Sequence, residues 1–554
     1  MNDDTPLLRR WGQAFLTACV PFMVMLLVLT LQGYRLEDHA PVLGDEIYYW
    51  HQAATWARAG LEGGYYVIDQ ITARAPFAHY YAWGFGPPIF YGMFGRLFGW
   101  PLNGILIVNA LYFFLSVMTF VLLARLDGRR CVLLAVLLAV YPSILVYLPT
   151  SMLEPIYLSA ALVVAGGLYR LNQEGRDGWA ILLTGAALVL MSLMRFTWAL
   201  MFWPYLYYLA PWRVWTLRAR PAQTTVSSAP GPAGAEHLQG RDLAAPLPGE
   251  GRWLWALIGT LVLAGLFFVF YNLTAASYPY ALKEILSMIR TEPVNAFSYY
   301  ISMVTQNVLT YFVPDHLPSL ALRFVAVGLL LWAVRERGRS RTRQEREALT
   351  VLLYIIVSAF VIAVFVYATA RSVGFRFFAP YVLMALALCI ALSRPTVSAA
   401  RRSGIAAIVT HLGFLRGAIL LFAITVPLVF AGSDTLKQVV YRPGRIQSIE
   451  TYRSEWHSVG MVYVPNTNPW CNTLAYSISY LGDSEDSESK DRLLALDAGM
   501  GLSIVWWTPE QPQRARTLML TEADYQAYPQ RDQLTRLVDV PGGAVYRNEA
   551  VLCP

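Results

Sequence analysis

VLGDEIYYWHQAATWARAG, residues 42–60, sets two adjacent carboxylates, Asp45 and Glu46, ahead of an aromatic-rich stretch. The segment before it, about 12–33, is apolar and long enough for a helix to cross a bilayer core. Arg9 and Arg10 precede that segment and no small-residue cleavage pattern follows it, so it reads as a retained span and not a signal peptide. The carboxylates therefore stand just outside the first membrane crossing. One reading is structural: Asp is a favoured helix N-cap, and Glu suits the positive end of a helix dipole. A full capping box wants Glu or Gln three residues on, where Tyr48 stands, so capping accounts for Asp45 better than for the pair. The other reading is chemical: a general base, with a second carboxylate to orient it or help hold a cation. Neighbouring helical residues point about 100° apart, so at most one of the two faces a substrate.

The rest of the chain supports a polytopic membrane protein. Of its 554 residues 56% are hydrophobic and 14% charged, where a soluble domain carries about 25% charge. About eleven spans are expected, near 12–33, 103–123, 131–147, 155–170, 179–195, 197–211, 253–272, 318–334, 348–368, 377–393 and 413–431. With a cytoplasmic N-terminus, the inside segments hold 21 basic residues and the outside segments of the membrane domain hold 8, the asymmetry expected of an inward N-terminus. The net charge of +7 is thus a topology signal spread over short loops, with no nucleic-acid partner implied.

Residues 1–432 form the expected membrane domain. Two outside loops, 34–102 and 273–317, are rich in Trp and Tyr and should carry helices lying at the headgroup level. The cytoplasmic segment 213–252 is rich in Pro, Ala, Gly and Ser and should be a disordered linker. Residues 433–554 read as a small extracytoplasmic α/β domain. GLSIVWW, TLMLT, RLVDV and AVYRN have strand character, and SKDRLLALDAG reads as a helix closed by Gly. Cys471 and Cys553 fall in this tail, where an oxidising exterior favours a disulfide over two free thiols.

Other charged residues stand near the outer edge. Glu154, in YLPTSMLEPIY, occupies a short outside turn just before Pro155; a carboxylate beside hydrocarbon is costly and points to function. Arg195, in LMSLMRFTW, is about 16 residues from the cytoplasmic start of its span, roughly 24 Å up and so near the outer face. Arg371 and Arg376, in ATARSVGFRFFAPY, sit at the outer end of another span. Arg binds phosphate well through its planar fork, although each of these three could instead flank the membrane. The histidines show no metal-ligand spacing. Without a Walker loop, a dinucleotide fingerprint or G-x-S-x-G, the sequence points to chemistry outside the cell, on a donor already activated in the membrane.

GDEIYYWHQAATWARAG followed by WGFGPPIFYGMFGRLFG resembles the GT-C glycosyltransferase superfamily, which includes protein O-mannosyltransferases, lipid A aminoarabinose transferases and Rgt-type sugar transferases. The matching features are the acidic pair Asp45-Glu46, the helix ending at Gly60, the turn Pro87-Pro88-Ile89-Phe90-Tyr91 and the ending Leu97-Phe98-Gly99. PTSMLEPIYL resembles the family's second acidic site, LVLMSLMRFTW its span ending in Arg, and RSVGFRFFAPY its late Arg-Tyr-x-x-Pro stretch. Order and spacing carry the likeness, which covers 10–210 well and 350–395 loosely. Two features depart from it: Gly86 stands where some relatives have Lys, and Phe377 follows Arg376 in place of Tyr.

The resemblance implies a GT-C type membrane fold and an inverting transfer of a hexose or pentose from a polyprenyl-phosphate donor to an envelope lipid, glycan or protein. It implies a multi-pass protein, here of a bacterial inner membrane. Polyprenyl phosphate leaves well, so one base suffices; Asp45 is the candidate. Glu46 and Glu154 would orient the acceptor or hold a divalent cation (Mg or Mn, with Asp45 and Glu46 as ligands). Arg195, Arg376 and Arg371 would neutralise the donor phosphate. A ligase or polymerase of lipid-linked glycans, or a transporter or flippase of one, are the alternatives. The outer-edge acids and the lack of an obvious inverted repeat speak against transport.

Overall fold

Asp45 and Glu46 fall in the first turn of a 16-residue helix, where acids complement the dipole. In the computed structural model the described residues are 7–31, 35–41, 44–60, 65–66, 68–70, 79–80, 85–174, 177–209, 250–274, 291–310, 317–340, 342–366, 376–393, 444–456, 469–477, 503–507, 515–540 and 542–553, with a few isolated positions between. The front half holds α1 (Leu7–Leu31), α2 (Gly44–Ala59), α3 (Gly86–Phe98) and α4 (Gly104–Leu123). There follow α5 (Gly128–Val140), α6 (Pro142–Tyr147), α7 (Glu154–Glu174), α8 (Gly178–Met194) and α9 (Phe202–Leu209). The rear half holds α10 (Glu250–Thr274), α11 (Pro293–Thr310), α12 (Leu317–Arg339), α13 (Arg343–Val361) and α14 (Ala379–Leu392).

Helix α7 is the axis of the bundle. It is buried over most of its length, from Glu154 to Asn172, and packs against α4, α8 and α14. Asp127 and Asp177 cap the N-terminal starts of α5 and α8, accepting hydrogen bonds from Arg130 N at 2.9 Å and Trp179 N at 2.9 Å.

Four helices among the described residues are long and apolar enough to cross a membrane: Leu8–Leu31, Gly104–Leu123, Trp253–Phe270 and Arg343–Phe365. Gly178–Met194 and Ala379–Leu392 are apolar but shorter. The expected count of about eleven is not confirmed, for identifiable reasons. The stretch 131–147 is broken into α5 and α6, because Tyr141 is extended (φ −71°, ψ 117°) ahead of Pro142. The stretch 197–211 begins as a 3-10 segment, Phe196–Met201, and continues only as the eight-residue α9. The expected span 413–431 lies outside the described residues, as does the linker up to residue 249.

In the two segments expected to be outside loops, 34–102 and 273–317, the helices are α2, α3 and α11. Helix α3 exposes Met93, Leu97 and Phe98, and α11 exposes Val294, Phe297 and Leu309, the faces that interfacial helices present to lipid.

The tail contributes α15 (Arg445–Trp456), α16 (Glu522–Ala527) and most of a six-stranded sheet. Two short strands of the first loop, β1 (Tyr65–Tyr66) and β3 (His79–Tyr80), pair in parallel with each other. Between them β2 (Ile68–Gln70) joins the tail sheet, which runs β2, β5 (Ser503–Trp507), β4 (Thr473–Ser477), β6 (Thr517–Leu520), β8 (Gly543–Asn548), β7 (Leu534–Val540). The first four are parallel; β8 is antiparallel to both neighbours. The four strands expected of the tail are β5 to β8. The helix expected over 489–499 lies mostly outside the described residues. The tail sheet takes its edge strand β2 from the first loop. Cys471, beside β4, and Cys553, beyond β8, are joined by a disulfide with Cα atoms 5.8 Å apart.

Candidate active site

Four elements deliver charged side chains around the N-terminal end of α7. Helix α2 brings Asp45 and Glu46, α7 opens with Glu154, the extended residue after α8 is Arg195, and the turn before α14 holds Arg376. Arg376 Nη1 donates to Asp45 Oδ2 at 2.9 Å, joining residues 331 apart in sequence. Both side chains stay partly open, Arg376 at 24% and Asp45 at 29%. Arg195 Nη2 lies 3.8 Å from Glu154 Oε1 with both side chains nearly closed off. That distance is Coulombic contact and not a hydrogen bond. The Arg195 guanidinium rests 4.1 Å from the Tyr157 ring centroid and 5.0 Å from that of Phe377. Arg376 lies 4.8 Å from the same Phe377 ring. Phe377 is thus the aromatic shelf between the two guanidinium groups.

Burial works against the charge on Arg376, but Glu154 and Asp45 outweigh it and hold the guanidinium more firmly charged than usual. Glu154 Oε2 is buried with no hydrogen-bond partner among the described residues. An unpaired buried oxygen is costly, and a hydroxyl donor brought by a ligand relieves that cost.

Glu46 points elsewhere. It is fully buried, and its Oε1 accepts the backbone N–H of Ser151 at 2.8 Å. The Ser151 hydroxyl in turn is 2.9 Å from His39 Nε2. Burial, with the nearby Arg445 charge adding to it, pushes the His39 pKa down to about 3, so the ring is neutral at ordinary pH. Glu46 therefore ties the start of α2 to the turn before Glu154. Asp45 and Glu46 have separate partners and do not converge. Among the described residues no group of three or more His, Cys, Asp or Glu side chains is placed to hold a metal ion. Arg371 lies outside the described residues.

A second anchor comes from the tail. Arg445, 0% exposed, pairs with the equally buried Asp491 at 2.7 Å. It also donates to the carbonyls of Ala40 and Pro41, both at 2.8 Å, four to five residues before Asp45. Gly444 N donates to Asp38 Oδ1 at 3.1 Å, from a left-handed backbone (φ 73°) that favours glycine. His39, Ser151, Arg445 and Asp491 were not singled out by the sequence; a lone His and an arginine at a helix start carry no distinguishing pattern.

Gly86 explains one departure from the GT-C pattern. A Cβ there would lie 2.5 Å from the Leu193 carbonyl oxygen, so α3 meets the end of α8 too closely for any side chain. Gly92 meets Trp56 in the same way, with a Cβ 2.7 Å from the indole.

No protein-family model matches this chain, and no curated protein matches it. Among solved structures it is similar to the apo crystal structure of ArnT from Cupriavidus metallidurans, with 14% identity over 98% of this chain and 99% of that one and a TM-score of 0.47. The same protein bound to undecaprenyl phosphate gives a TM-score of 0.46 over the same shares at 14% identity. The archaeal oligosaccharyltransferase AglB from Archaeoglobus fulgidus, in complex with an inhibitory peptide and a dolichol-phosphate, is 13% identical over 97% of this chain and 75% of that chain, with a TM-score of 0.43.

Proposed function

We propose that this chain is an inverting GT-C type glycosyltransferase, moving a sugar from a polyprenyl-phosphate donor to an envelope acceptor on the outer side of a bacterial inner membrane. The observation that carries the reading is the Asp45–Arg376 pair, a candidate base touching a candidate phosphate cation, with Glu154 and Arg195 alongside. In the reaction the acceptor oxygen attacks the anomeric carbon and its proton passes to Asp45. The bond from that carbon to the phosphate oxygen breaks, and polyprenyl phosphate leaves with the electron pair. Arg376 takes the growing negative charge, and Arg195 adds to the positive field from behind Phe377. Glu154 Oε2 accepts a hydrogen bond from the acceptor and orients it.

Inversion places nucleophile and leaving group on opposite faces of the sugar. Asp45 and Arg376 must therefore separate when the donor enters. Their partial exposure permits that, and the donor phosphate replaces the carboxylate on Arg376 as it frees the base. Glu46 acts as a positioning residue through Ser151. The acidic and basic groups gather at one end of the bundle and do not line a path through it, which favours transfer over transport.

The test is sugar transfer in lipid nanodiscs with a panel of polyprenyl-phosphate sugars and an envelope extract as acceptor. Wild type releases polyprenyl phosphate with one of the donors, and Asp45→Asn slows that release by roughly 10²- to 10⁴-fold. Undiminished release by Asp45→Asn removes Asp45 from the role of base.

A further inference from the structure

A cavity of about 500 Å³ lies between the C-terminal ends of α2 and α3 and the tail helix α15. Its arginine end is remote from the Asp45 cluster: the thirteen helical steps from Asp45 to Arg58 span roughly 20 Å, although the wall reaches back to Trp50. Its depth relative to the bilayer follows from its wall. Pro101, Leu102 and Asn103 line it, and the membrane-crossing helix begins at Gly104. On the same side α3 exposes Met93, Leu97 and Phe98, at 52%, 72% and 78%. Apolar side chains this exposed belong in lipid, so the cavity stands at the headgroup level of the outer leaflet.

Its chemistry suits an anion. Arg58, Arg96 and Arg453 line it. Arg96 makes no hydrogen bond or ion pair among the described residues, and Arg453 Nε is buried without a hydrogen-bond partner among them. Of the two acids in the wall, Glu37 faces Arg35 at 3.5 Å, and Glu450 accepts from Arg453 Nη1 at 3.2 Å, so Arg453 is shared with Glu450 and Arg96 is the cation that meets an anion without a competing carboxylate among the described residues. Trp50 and Trp100 form a rigid wall, their indole N–H groups donating to Pro101 O at 2.9 Å and Trp50 O at 3.1 Å.

We infer that this cavity binds the phosphate of an anionic lipid headgroup from the outer leaflet. The guanidinium groups grip the phosphate oxygens through charge-assisted hydrogen bonds, and the acyl chains run past Leu97 and Phe98. A lipid held there bridges both loop helices to α15, whose first residue is the Arg445 anchor. The site stands whether or not the transferase reading holds.

The test uses the full chain in detergent, titrated with phosphatidylglycerol and, separately, phosphatidylcholine, with bound lipid counted by native mass spectrometry. Phosphatidylglycerol binds more tightly than phosphatidylcholine, and Arg96→Ala weakens it by roughly tenfold. Arg96→Lys retains most of the affinity because the charge stays. An exposed side chain is replaced, so the melting temperature of both variants matches wild type. Three results overturn the inference: equal affinity for the two lipids, phosphatidylglycerol binding unchanged in Arg96→Ala, or displacement of the lipid by millimolar inorganic phosphate. The last would make the ligand a soluble phosphate.

Discussion

Asp45–Arg376 and Arg445–Asp491 are two arginine–carboxylate pairs of nearly equal length, 2.9 and 2.7 Å. Their surroundings differ. Both members of the second pair are 0% exposed, and the arginine also donates to two backbone carbonyls. The first pair is open to solvent at 29% and 24%. A fully buried pair cannot exchange partners without stranding a charge. A partly open pair can give up its carboxylate to an entering phosphate, which replaces the negative charge on the arginine. The same chemistry thus fixes the loop at one place and leaves it ready to react at the other, a few residues apart.

The strongest way to break this contrast is to remove the buried arginine. Arg445→Ala leaves Asp491 uncompensated and should destabilise the fold by about 3–5 kcal/mol, read as a large drop in melting temperature. Replacing both partners with apolar residues should recover most of that loss. If Arg445→Ala melts like wild type, the tail does not anchor the loop. Next in size is the disulfide, which closes a separation of 82 residues. Cys471→Ser should cost about 2–4 kcal/mol and make the melting temperature insensitive to reductant, while sparing the chemistry at Asp45.

The effect that appears only as pH falls belongs to His39, which sits between the two regions. Its folded pKa of about 3 lies below the ordinary 6.5, so the unfolded chain takes up a proton first as pH falls. The stability it contributes is complete above about pH 6.5 and is lost progressively towards pH 3. His39→Gln should flatten the melting-temperature profile across that window. An unchanged slope would place the titrating group elsewhere.

Several members of the site were readable in the sequence. Asp45, Glu154, Arg195 and Arg376 stood out because charge beside a long apolar run is costly and so has a reason to be there. What pairs with what was not readable: Asp45 and Arg376 are 331 residues apart, and the start of α2 and the turn before α14 meet only through tertiary packing. Glu46 looked like a second functional acid, and its burial against Ser151 N depends on a turn that no local pattern specifies. The strand β2 is three residues long, too short for a period-2 signal, so its place in the tail sheet is a tertiary result. Pro142 did carry the signal for the break between α5 and α6. Span counting by mean hydropathy averages over it.

The contrast between the two pairs rests on Asp45 and Arg376 having separable tasks, and steady-state transfer in nanodiscs with the donor identified from the panel tests that directly. Titrating the donor against Asp45→Asn and Arg376→Ala, the account predicts a loss confined to kcat for Asp45→Asn, with KM for the donor near wild type. For Arg376→Ala it predicts a raised donor KM as well as a lower kcat. Donor KM rising in Asp45→Asn while staying unchanged in Arg376→Ala would contradict the assignment of base and phosphate cation.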